Sequence, residues 1–145
     1  MSKVSFTGWV PADWPDEQIV RFAEDGIYPE RPKVFNPYCD KYHIEVVVFR
    51  SKEVASYAAG GSSGGPIRQV HVDITAGPGT GRVRALRPKP SKVVIVGWVN
   101  ASRKMKNIIH YTAWDNHHAE FGTYMKNEID GSAEKVRFEI ILTNI

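Results

Sequence analysis

The sequence predicts a mainly β fold: an antiparallel β-sandwich or barrel of seven to eight strands with one short N-terminal helix. Three observations carry this. Short runs rich in Val, Ile and aromatic residues alternate with polar ones. Clusters of Gly, Pro, Asn and Asp punctuate them. Only one segment carries both a helix start and a helix stop.

Residues 4–10 alternate and open the fold as a strand, with Trp9 and Trp14 bracketing a Pro-Ala-Asp turn. Asp13-Trp14-Pro15-Asp16-Glu17 then reads as a helix start: a capping Asp, a first-turn proline, and acids at the positive end of the dipole. Ile19, Val20, Phe22 and Ala23 supply its apolar stripe, and Gly26 stops it. Pro29, Pro32 and Pro37 make residues 28–38 a surface loop. Strands follow at 43–49, 67–76, 82–86, 93–99, 107–114 and 135–142, with a weaker one at 54–58. Residues 93–99 are apolar almost throughout, the pattern of a strand buried on both faces. Residues 119–127 suit a strand or a short helix, and Asp130-Gly131 marks the turn into the last strand. Residues 70–76 echo 107–113 at a spacing of 37, which chance matching of β-branched residues explains equally well.

Residues 60–65, Gly-Gly-Ser-Ser-Gly-Gly, read as a flexible coil, either a native loop or an engineered linker. They lead through Pro66 into a strand and lack a following Lys-Ser/Thr and helix, which excludes a phosphate-binding loop. The 145 residues suit a single domain, 1–145, and 42% apolar with 24% charged residues excludes wholesale disorder. The longest apolar run is too short to span a bilayer, so no membrane partner is expected. Cys39 is the sole cysteine, so neither an intrachain disulfide nor a four-cysteine zinc site can form. No apolar signal core opens the chain, and a cytoplasmic or virion-internal location is expected.

Charge is unevenly spread. Residues 1–40 sum to −3, 41–73 to +1 and 115–145 to −3, whereas 74–114 hold eight bases and no acid. Those bases are Arg82, Arg84, Arg87, Lys89, Lys92, Arg103, Lys104 and Lys106. Such a run suits a face that neutralises phosphates; it equally suits ion pairs with the acidic segments on either side. Trp98, Tyr111 and Trp114 are interleaved with it, as stacking platforms are in sheet modules that hold single-stranded nucleic acid. No signature of a known nucleic-acid module accompanies them.

The densest polar-aromatic segment is 110–120. An aromatic plate with hydroxyl-binding partners is what a sugar site needs, and Tyr111, Trp114, Asp115, Asn116 and His117 supply both. Acid–base pairs could be built from His110 with Asp73 or His117 with Glu120. His117, His118 and Glu120 are metal-ligand types, but adjacent residues on a strand point to opposite faces and no His-x-His pair exists. Neither a metal, a cofactor nor a catalytic residue is expected. The leading expectation is a non-enzymatic binding protein that recognises a polyanion, foremost nucleic acid, through residues 82–106. The alternatives are a lectin-like glycan binder using the 110–118 loop, and a homo-oligomeric assembly subunit such as a virion protein, whose basic stretch meets a neighbouring copy.

Overall fold

Residues 2–24, 41–79, 84–86, 92–101, 109–124 and 131–145 are described in a computed structural model of the chain. Nine strands form in order: β1 (Ser2–Pro11), β2 (Val20–Glu24), β3 (Lys41–Phe49), β4 (Ile67–Pro78), β5 (Arg84–Leu86), β6 (Lys92–Asn100), β7 (His110–Ala113), β8 (Asn116–Tyr124) and β9 (Ala133–Asn144). All pair antiparallel. One layer runs β1–β4–β9–β6, with β5 beside β6; the other runs β2–β3–β8–β7. A single residue pair joins the layers at each of two corners, Trp9 with Phe49 and Trp98 with Tyr124. The result is a sandwich whose edges meet as in an incompletely closed barrel, the fold class the sequence predicts.

The alternation that predicts the strands also builds the core. Val70, Val72, Ile74 and Ala76 of β4 face inward against Val136, Phe138, Ile140 and Leu142 of β9, all buried. Phe138 stacks on Phe121 of β8 at 4.6 Å between ring centroids, tying the two layers together. Val93 to Val96 are buried on both faces, as their unbroken apolar run requires.

Helices depart from expectation. The predicted N-terminal helix is a single turn, α1 (Asp16–Ile19), whose N-cap is Pro15 rather than Asp13. Val20 and Phe22 leave it to pair with Val46 and Ile44 of β3. A β-branched residue beside an aromatic gains more from a half-buried ladder than from extending a short helix. The weak strand expected at 54–58 is instead helix α2 (Lys52–Gly60), capped by Ser51, whose Oγ accepts from Val54 N–H at 3.1 Å. The Gly/Ser run expected as coil ends α2 and continues as a 3-10 turn, Gly61–Ser63, with Ser56 Oγ hydrogen-bonded to the Gly65 backbone.

The registers reveal an internal pseudo-two-fold. β1 to β4 pair among themselves as β6 to β9 do: β1 with β4, β2 with β3 and β1 with β3 at a corner, matched by β6 with β9, β7 with β8 and β6 with β8. The axis passes through Ile74 opposite Ile140 in one layer and Glu45 opposite Glu120 in the other. Sequence agrees. Lys3, Val4, Gly8, Trp9, Val10 and Ala12 recur 89 positions later as Lys92, Val93, Gly97, Trp98, Val99 and Ala101. The echo at spacing 37, by contrast, joins β4 to β7, which are not equivalent. Gly8 and Gly97 recur for a physical reason: a Cβ on Gly8 would run into the Phe49 carbonyl and Val48, and one on Gly97 into the Thr123 side chain. Only a bare backbone fits where a strand crosses from one layer to the other.

Candidate functional site

The last ladder pair of the β7–β8 hairpin is Ala113 with His117, so Trp114, Asp115 and Asn116 form its tip. Asn116 also faces Phe49 at the end of β3, which brings the next residue, Arg50, to the tip. Arg50 Nη1 donates to Ala113 O at 2.7 Å and Trp114 O at 3.0 Å. Its backbone N–H donates to Asp115 O at 3.2 Å. Three successive carbonyls are thus held by one residue. On this fixed backbone the Trp114 side chain stands 83% exposed, with exposed Asp115 and half-buried Asn116 beside it.

Under the tip, Tyr111 and His117 lie over Phe6 of β1, with ring centroids 5.5 and 5.0 Å from it. Tyr111 Oη and His117 Nδ1 are 2.6 Å apart. Burial holds the His117 pKa below the usual histidine value and the Arg50 charge lowers it further, against a hydrogen bond to the Thr7 backbone. Burial pushes the Tyr111 hydroxyl up, opposed by Arg50. A neutral imidazole therefore accepts the tyrosine proton donor, and the stack is a rigid base for the tip. Sequence reasoning placed Trp114, Asp115 and Asn116 in a loop and missed Arg50, whose charge reads only as part of the polar run Arg50-Ser51-Lys52-Glu53 that ends a strand.

The predicted polyanion face is only partly in view. Arg82, Arg87, Lys89, Arg103, Lys104 and Lys106 lie outside the described residues. Arg84 sits in β5 opposite Val96. Lys92 is paired: its Nζ lies 3.1 Å from Glu139 Oε1, and Arg137 holds the other oxygen of that carboxylate at 2.5 Å. The segments 87–91 and 102–108 join opposite ends of β6, about 27 Å apart for a nine-residue strand. Trp98 and Trp114 are likewise separated by the length of β8, since Trp98 opposes Tyr124 and Trp114 precedes Asn116. Trp98 has Lys135 Nζ 5.8 Å from its ring centre.

Of the two acid–base pairs weighed from sequence, His117 with Glu120 does not form, and the His110 side chain of the other lies outside the described residues. Asp73 is held by neighbours in its own layer: Ser5 Oγ at 2.5 Å and His71 Nε2 at 3.2 Å, with Thr7 Oγ1 2.7 Å from His71 Nδ1. These bonds, led by that from Ser5, hold its pKa below the ordinary value. His117 faces inward under the tip while Glu120 lies on the opposite face of β8. On that outer face His118 Nε2 comes 3.1 Å from Glu45 Oε1, and Arg21 Nη1 lies 3.9 Å from the same oxygen. Among the described residues, no three His, Cys, Asp or Glu side chains gather closely enough to hold an ion, and no helix is long and apolar enough to cross a membrane. Comparison of the chain with protein-family models, with curated proteins and with solved structures returns no match.

Proposed function

We propose that the protein is a non-enzymatic carbohydrate-binding module whose site is the β7–β8 tip. The observation that carries this is Trp114, 83% exposed on a backbone fixed by three hydrogen bonds from Arg50. An indole kept in water gains by being covered, and a pyranose face covers it while its hydroxyls meet Asp115 and Asn116. Fixing the tip before binding removes an ordering cost that a loose loop would carry. The Asp115 carboxylate beside the ring opposes a phosphate-bearing ligand, and the Arg50 guanidinium is engaged with carbonyls. A second reading keeps one observation in its favour: eight bases and no acid between residues 74 and 114 suit a polyanion such as nucleic acid.

The test is a titration of neutral oligosaccharides followed by the Trp114 indole resonance. The glycan reading expects saturable shifts that are lost in Trp114→Ala and barely change with salt. It is overturned if no neutral glycan moves that resonance. Binding of a single-stranded oligonucleotide with a log K against log salt slope of about −3 to −4 would transfer the function to the basic run.

A further inference from the structure

We propose that Thr7 is a covalent acyl-acceptor site, whose hydroxyl is activated by His71 and Asp73 to take one acyl group from a thioester. The first observation is geometric. Across the outer face of β1 and β4, Thr7 Oγ1 lies 2.7 Å from His71 Nδ1, and His71 Nε2 lies 3.2 Å from Asp73 Oδ1. Ser5 Oγ donates to the same carboxylate oxygen at 2.5 Å, and Lys3 Nζ stands 3.9 Å from it. These contacts, led by that from Ser5, keep Asp73 ionised. A carboxylate only accepts, so His71 Nε2 carries the ring proton and Nδ1 is left to accept from the Thr7 hydroxyl. Nucleophile, base and orienting acid thus stand in line, with Thr7 exposed at the open end.

The second observation lies in the internal repeat. Ser5 and Thr7 oppose Asp73 and His71 as Val94 and Val96 oppose Glu139 and Arg137 in the other half. Both halves keep the carboxylate and a lysine beside it, Lys3 or Lys92. The second half closes the cluster with a permanent cation, Arg137, next to two buried valines. The first half has an imidazole, which can take up a proton, next to two exposed hydroxyls. A base and a nucleophile thus occupy the positions that hold a fixed cation and an aliphatic side chain in the other half.

Thr7 Oγ1 attacks the thioester carbonyl carbon while its proton passes to His71 Nδ1. The carbon–sulfur bond then breaks with its electron pair on sulfur, and the thiolate takes that proton. A Thr7 ester and a free thiol result. The face also selects the donor. β4 is paired with β1 on one side and β9 on the other, so the amides around His71 are spent in ladders rather than aimed at an oxyanion. The acyl donor must therefore carry its own activation, which a thioester has and an amide lacks.

The experiment incubates the full chain with S-acetyl-N-acetylcysteamine, quenches in acid at intervals and locates the acetyl group by peptide mass spectrometry. One acetyl on Thr7, removable by hydroxylamine as an ester is, is expected. Thr7→Val should lose it and stay folded, since Val96 fills the equivalent position, whereas Thr7→Ser should retain it. His71→Gln and Asp73→Asn should each slow acylation at least about tenfold, less than the full effect of a general base in a closed site because this one is open to water. Circular dichroism confirms that each variant is folded; should His71→Gln unfold, Asp73→Asn carries the test alone. Acetyl found only on amines, or on no residue, overturns the proposal. So does a folded Asp73→Asn variant that is acylated at the parent's rate, because the line then activates nothing. The hairpin reading stands or falls separately, by Trp114→Ala.

Discussion

Replacing Arg50 with alanine should loosen the β7–β8 tip and leave the barrel folded. The side chain gives two hydrogen bonds, to Ala113 O at 2.7 Å and Trp114 O at 3.0 Å, while the backbone bond to Asp115 O survives. A bond from a charged donor contributes about 1.5–3 kcal/mol. Here both come from one nitrogen at the surface, and the released carbonyls can turn to water. The loss is therefore about 1–2 kcal/mol in total, which lowers Tm by about 3–8 °C for a chain of this length. Glycan affinity should drop about tenfold, the equivalent of 1.4 kcal/mol, because ordering even one residue of a loosened tip costs about 1–2 kcal/mol. Amide hydrogen exchange at Asp115 and Asn116 should accelerate. The His117 pKa should rise when the Arg50 charge is removed, yet stay below the ordinary value because burial is the larger cause. Unchanged tip exchange together with an unmoved His117 titration would refute the clamp.

Gly97→Ala should cost about 1–3 kcal/mol by forcing a methyl into Thr123. Shortening Thr123 to Ala in the same chain should recover part of it, whereas no single side-chain change should rescue Gly8→Ala, which meets the Phe49 backbone; thermal unfolding of the three variants decides. Thr123→Val alone should stabilise by about 1 kcal/mol, since its buried Oγ1 has no hydrogen-bond partner; a lower Tm would show that the hydroxyl is satisfied. Phe138→Ala should cost about 3–5 kcal/mol by emptying the contact with Phe121, read by urea unfolding. Two acid steps in stability are expected. His117 is held neutral, so its contribution is full above about pH 6.5 and declines as the pH falls toward its lower folded value. Asp73 adds stability above about pH 3.8 that is lost on further acidification. Urea titrations from pH 8 to 3 should show both, with His117→Gln removing the first; a flat profile between pH 8 and 5 contradicts the neutral imidazole.

Strands were legible wherever one signal dominated. The alternation through Val70, Val72 and Ile74 and the apolar run 93–99 each produced the expected strand, because burial of one face or both is written directly into the period. Short helices were not. Val20 and Phe22 fit a helical stripe as well as a ladder, and only β3, far along the chain, decides between them. Ser51 caps α2, but Val54, Ala55 and Ala58 gave a pattern too short to distinguish helix from strand. The hairpin tip was legible as composition, since Trp, Asp and Asn together suit a turn and a ligand alike. Its rigidity was not, because Arg50 reaches it across the β3–β8 ladder. Whether the bases of 82–106 share a face could not be read either. β6 separates the segments on its two sides by its whole length, a distance that sequence adjacency conceals.

The internal repeat separates what the fold needs from what it merely carries. Where both halves keep a residue and the structure shows a steric reason, as at Gly8 and Gly97, the fold accounts for the identity. Trp9 and Trp98 occupy the same two corners, each with a lysine over its ring: Lys52 at 4.6 Å and Lys135 at 5.8 Å. One comes from α2 and the other from β9, so the arrangement recurs although its partners arise differently. Features present in one half alone are the opposite case. The equivalent of the β7–β8 tip lies between β2 and β3, where the chain takes a 16-residue path, 25–40, instead of the two residues between Ala113 and Asn116. The tight turn that carries the exposed Trp114 is thus a property of one half.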